Sequence, residues 1–247
     1  MKIALVAAGQ PRFTEAFPIF MNQLKGVDQA DLYFHFFEND WCMDPVEARR
    51  RIEPVLSPPY NLKKIEIKPR GLWQLPPHSK EHTSHEKQSV NWYYYRATCQ
   101  WYSLWLSSQM IEEQYDAVIR FRLDCRLDRD IDVSKLDLSR GPIMPHNNQC
   151  GTEGRKVCDQ FAIGTQEDMK FYFDFWTHYD EYIPEVCSYW EDMIHHWSPE
   201  HLLGWHYHKN NRQIHQGDFN ILLKPEGRSA YDDHNWHIQP GQDPTVR

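Results

Sequence analysis

The chain has 247 residues, enough for one large domain with a sizeable core, and its formal net charge of −8 argues against a general nucleic-acid binder, which needs a basic surface to displace counterions from phosphates. With 40% hydrophobic and 14% aromatic residues the composition is that of a folded protein. The six cysteines, Cys42, Cys99, Cys125, Cys150, Cys158 and Cys187, form no CxxC pair, so free thiols in a reducing compartment are expected rather than a disulfide framework.

The first apolar run, Ile3–Ala8, is too short and too quickly polar for a signal or anchor, and no later stretch spans a bilayer. The expectation is a soluble cytoplasmic protein with no transmembrane segment. Ile3–Ala8 reads as a buried strand stopped by Gly9-Gln10-Pro11-Arg12, and Thr14 and Glu15 open a helix through Leu24. This is the opening of a nucleotide-binding α/β unit, without the GxGxxG of a dinucleotide site. Arg12 is placed to meet a phosphate or carboxylate, or is a solvated loop arginine.

Asp31–Phe37 (DLYFHFF) is a second strand, with His35 read as a hydrogen-bonded core histidine. Pro45–Leu56 predicts a short helix, and KIEIK over Lys64–Lys68 an exposed or edge strand. Pro69 to Gln88 reads as a long loop, its His78, His82 and His85 lacking a carboxylate scaffold for a metal. From Ser89 to Glu113, apolar residues at three- and four-residue intervals predict the longest helix.

That helix feeds YDAVIRFRLDCRLDRD, Tyr115–Asp130, which begins as a buried strand through Leu123 and ends in Arg120, Arg122, Asp124, Arg126, Asp128, Arg129 and Asp130. Ligands bind outside the carboxyl ends of strands in open α/β sheets, so these charges are either a site or a mutually paired ion network. Val157–Gly164 (VCDQFAIG) resembles a further strand, and Asp159 in its apolar context needs a partner or a purpose. Thr165 and Asp168 have capping-box spacing, and Ser198-Pro199-Glu200 starts another helix. Phe219–Leu223 reads as a last strand, followed by an irregular tail over 225–247.

Four stretches in order, GQPR, DLYFHFF, YDAVIRFRLD and DQFAIG followed by a helix and PEHLL, resemble the nucleotide-sugar glycosyltransferases of the GT-A type found in capsule and lipopolysaccharide gene sets and in large viruses. The resemblance spans roughly Met1 to Leu223. It implies a single α/β domain over 1–247, a Rossmann-like sandwich with a mostly parallel central sheet and helices on both faces. It also implies a nucleoside-diphosphate sugar donor and a glycan or other hydroxyl acceptor.

Gly9, Gln10 and Arg12 would then sit near the nucleotide, with Arg120, Arg122 and Gln160 as further substrate contacts. Asp124 stands where the family places its DxD metal motif, but Arg122 and Arg126 flank it where acids are usual. Either Asp124 holds Mn²⁺ or Mg²⁺ with few protein ligands, His215 or His237 adding one, or the arginines neutralise the diphosphate without metal. Asp159, then Glu200, are the candidate catalytic bases; otherwise Asp159 is a buried capping acid and Glu200 a helix-dipole acid. Two further readings stay open: a non-catalytic nucleotide-sugar or carbohydrate-binding module on the same fold, and a metal-dependent hydrolase using Asp124, Asp128 and Asp130.

Overall fold

A computed structural model describes residues 1–9, 16–37, 44–68, 100–146, 157–189 and 199–223. In chain order the elements are β1 (Lys2–Gly9), α1 (Ala16–Gln23), β2 (Leu24–Lys25), β3 (Gln29–Phe37), α2 (Pro45–Ile52), β4 (Tyr60–Lys68), α3 (100–109), β5 (Ala117–Arg120), β6 (Cys125–Leu127) and β7 (Ile131–Asp132). There follow β8 (Ile143–Met144), β9 (Ala162–Gly164), α4 (Gln166–Asp174), α5 (Tyr179–Tyr189), α6 (Pro199–Lys209), β10 (His215–Gln216) and β11 (Ile221–Leu223).

Seven strands form one sheet in the order β10-β8-β9-β5-β1-β3-β4. β4, β3, β1 and β5 run parallel, β9 runs antiparallel to β5 and β8, and β10 is parallel to β8. The protein is therefore α/β with a mostly parallel central sheet, as expected. β4 is an edge strand, as the alternation in KIEIK predicts.

Register gives the sheet two different faces. Leu32, Phe34 and Phe121 share the face covered by α1, where the Phe20 and Phe121 rings stack at 4.8 Å and Phe17 meets Phe34 edge-on at 6.3 Å. These rings are fully buried, so Phe121→Ala should cost about 3–5 kcal/mol. Asp31, Tyr33, His35 and Arg120 share the opposite face, which α3 and α4 cover. The sheet thus carries helices on both faces.

The D-x-Y-x-H alternation in β3 is a seam with α3 and the chain that follows it. Tyr115 donates to Asp31 at 2.8 Å, Tyr33 meets Tyr115 at 2.8 Å, and His35 Nδ1 meets Ser103 Oγ at 2.7 Å. Small serines let α3 approach the backbone: Ser107 Oγ donates to the Ala7 carbonyl at 3.2 Å. His35 is the hydrogen-bonded core histidine expected.

Three expected strands are shorter or elsewhere. The one read over Tyr115–Leu123 pairs only over Ala117–Arg120, because the backbone leaves the ladder after one more bond, from Phe121 N to the Val6 carbonyl. The one read over Val157–Gly164 is reduced to Ala162–Gly164, its first half being an irregular approach that holds Asp159. The last strand, β11, leaves the main sheet to pair antiparallel with β6. That small ribbon is tied to α1 by the Gln23 side chain, which accepts from Leu127 N at 2.8 Å and donates to Leu127 O at 2.7 Å. α4 starts as its capping residues predict, Thr165 Oγ1 accepting from Asp168 N at 3.1 Å. No helix among the described residues is long and apolar enough to cross a membrane.

Candidate functional site

Strand order places β3 and β4 on one side of β1, and β5 and β9 on the other. The strand order therefore reverses between β1 and β5, the switch point outside whose carboxyl ends open α/β sheets bind their ligands. Gly9 ends β1 there with φ 101°, a conformation side chains resist, and a Cβ on it would meet nothing within 4 Å. Its N–H donates to Ser103 Oγ at 3.3 Å. β9 enters from the same edge because it is antiparallel, so Asp159 and Gln160, just before it, lie at the same end as Arg120, which pairs with Ala162.

Arg120 ends β5 on the α3 face and is fully buried. Its Nη1 donates to the Phe121 carbonyl, while Nε and Nη2 find no hydrogen-bond partner among the described residues. Burial pushes its pKa down, opposed by Tyr172, Asp159 and Cys158 nearby. Asp159 is 7% exposed; Oδ2 accepts from Gln100 Nε2 at 2.8 Å, and the buried Oδ1 has no partner among the described residues. Two buried guanidinium nitrogens and a buried carboxylate oxygen without hydrogen bonds are costly unless another group completes them. Arg120 is thus brought to the expected place but lies beneath the surface.

Arg122 and Asp124 follow on the same loop as a side-on bidentate pair, Nε to Oδ1 at 2.8 Å and Nη2 to Oδ2 at 2.7 Å. Burial pushes the neighbouring Cys125 thiol up to about 12, which keeps it protonated. A divalent ion on Asp124 would have to break this pair. His215 offers no help, because it lies on β10, three strand spacings or roughly 14 Å from β5. Its Nε2 faces the Arg140 carbonyl. Among the described residues no three His, Cys, Asp or Glu side chains converge as metal ligands. The described residues therefore do not assemble a metal site at Asp124.

Glu200 is in the first turn of α6, where its carbonyl accepts from Val157 N at 3.0 Å and anchors the approach to Asp159. Gln160 is partly buried beside Asp159. Gln10, Arg12, His78, His82, His85 and His237 lie outside the described residues. Asp128 is not aimed at the crevice: it caps the ribbon, bonding Asn220 N at 2.9 Å and Asn220 Nδ2 at 2.8 Å.

Sequence reasoning missed Gln100 and Ser103. Their signal is three-residue spacing inside an otherwise aromatic and aliphatic helix, continued by Ser107, which places all three on one face. No known protein-family model matches this sequence, and no curated protein matches it either.

Proposed function

We propose that this protein is a glycosyltransferase of the GT-A type, moving a sugar from a nucleoside-diphosphate sugar to a hydroxyl of a glycan or another acceptor. The observation that carries the reading is the Arg120–Asp159 cluster at the β1/β5 switch point, where two nitrogens of a buried guanidinium and a carboxylate oxygen remain without hydrogen-bond partners among the described residues. The ordered resemblance of GQPR, DLYFHFF, YDAVIRFRLD and DQFAIG supports it.

In this mechanism the nucleotide lies against the Gly9 turn and the diphosphate against the Arg122 loop. The anomeric carbon–oxygen bond to phosphate breaks with its electron pair on the diphosphate. Arg120 stabilises that charge from below through the low local dielectric, and Arg122 by contact as it turns from Asp124 to the diphosphate. The acceptor oxygen bonds to the anomeric carbon as its proton passes to Asp159. Glu200 is the second candidate base. Charge neutralisation rests on the arginines, because no metal-ligand set forms at Asp124 among the described residues.

The test is calorimetric titration of the full chain with UDP-, GDP- and dTDP-sugars in the presence of EDTA, followed by transfer assays. Binding without added metal supports the reading; no binding by any donor, with or without Mn²⁺, sinks it. One observation favours a donor-binding module that lacks chemistry, namely the neutralised Asp124 at the place of the metal motif. That reading predicts binding with no hydrolysis or transfer over long incubations.

A further inference from the structure

The two site aspartates are held in different ways. Asp124 is gripped through both oxygens by a cation, Arg122. Asp159 is gripped through Oδ2 by a neutral amide, Gln100 Nε2 at 2.8 Å, and its Oδ1 is left buried with no partner among the described residues. A neutral donor fixes a carboxylate without cancelling its charge. A guanidinium in the same place would cancel it.

Gln100 is itself fixed. It lies at the carboxyl-edge end of the α3 face whose next polar positions, Ser103 and Ser107, bind the sheet: Ser103 Oγ donates to the His35 carbonyl at 2.6 Å, and Ser107 Oγ to the Ala7 carbonyl at 3.2 Å. The next residue, Trp101, is fully buried against Tyr172 and Phe175, with ring centroids at 5.5 and 4.6 Å. Tyr172 in turn donates to the Cys158 carbonyl at 2.9 Å, holding the residue before Asp159. Helix and acid are therefore registered to each other through two routes, one through the side-chain amide and one through the aromatic wedge.

Resting on the transferase reading, we infer that Gln100 is a positioning residue for Asp159, holding Oδ2 so that Oδ1 faces the acceptor hydroxyl whose proton it takes. Two readouts test this on the full chain. In crystals of the parent, Asp159 adopts one rotamer with Oδ2 on residue 100; in Gln100→Leu it turns or splits between two rotamers. With a donor that the parent turns over, Gln100→Leu lowers kcat about 10–100-fold while the donor KM stays unchanged, since a misplacement of about 1 Å costs on that order.

An unchanged Asp159 rotamer, or an unchanged kcat accompanied only by a lower Tm, overturns the inference. If the parent transfers from no donor, the transferase reading falls, and the rotamer comparison still decides whether Gln100 positions Asp159.

Discussion

At the amino ends of the parallel strands, polar side chains are paired. Asp31, 1% exposed, accepts from Tyr115 at 2.8 Å and Gln29 at 3.0 Å, Tyr33 meets the Tyr115 hydroxyl at 2.8 Å, and Glu113 bridges Lys2 at 2.7 Å and Lys63 at 2.8 Å. The two lysines hold the Glu113 carboxyl down to about 2, and burial pushes the Tyr115 phenol far up. At the carboxyl ends of the same strands, Arg120 and Asp159 are as deeply buried, yet Arg120 Nε and Nη2 and Asp159 Oδ1 are unsatisfied among the described residues. On the proposed reading, Asp159 Oδ1 is polarity kept for a ligand, whereas the amino-end pairs hold the fold together.

The largest effect that would sharpen this contrast is on chemistry. Asp159→Asn should lower transfer about 10²–10⁴-fold, the typical contribution of a positioned base, with the unfolding midpoint unchanged. A fully active variant would remove Asp159 from the mechanism.

Stability offers the next test, because the two ends should respond with opposite signs. The double variant Arg120→Met/Asp159→Asn should be as stable as the parent or gain up to about 4 kcal/mol, since buried charges replaced by neutral groups of similar volume often stabilise. Tyr115→Phe at the other end should cost about 1–3 kcal/mol by stripping a hydrogen bond from buried Asp31 and leaving Tyr33 without its acceptor. Urea unfolding of both reads the sign, and a destabilised double variant would mean the Arg120–Asp159 cluster is structural.

Acid sensitivity should come from the buried histidines rather than from the site. Burial lowers His35 and His206 to about 4, so each stays neutral in the folded state while the unfolded state takes up protons from its ordinary value near 6.5. Between those values the unfolded state binds more protons, so stability falls as pH drops from about 6.5 to about 4. His35→Gln should flatten that slope in unfolding experiments at stepped pH, and an unaltered slope would contradict the assignment. Smallest of all, Lys63→Ala, which breaks the half-exposed pair with Glu113, should cost no more than about 1 kcal/mol and lose even that in high salt.

Much of the sheet was legible in the sequence because strands buried on both faces leave unbroken apolar runs, as in Ile3–Ala8 and Ala117–Ile119. Strand extent was not: the apolar run continues through Phe121 and over Val157–Gly164, but side-chain burial persists where ladder pairing has stopped. Asp159 joins the carboxyl edge only because β9 runs antiparallel, whereas the location of Arg120, Arg122 and Asp124 there followed from their place at the end of a strand. How each is held did not, since the Arg122–Asp124 pair and the Gln100–Asp159 bond depend on rotamers and on a helix 59 residues away. His215 misled because a late histidine beside a strand looks like a ligand until the topology puts that strand on the far edge.

The most direct measurement is a crystal of the full chain soaked with UDP or GDP in metal-free buffer. The account predicts diphosphate density at the crevice between Gly9 and Arg122, with an oxygen of the ligand or an ordered water against Asp159 Oδ1. A nucleotide bound elsewhere, or a crevice that stays closed with Asp159 sealed beneath it at saturating ligand, would contradict it.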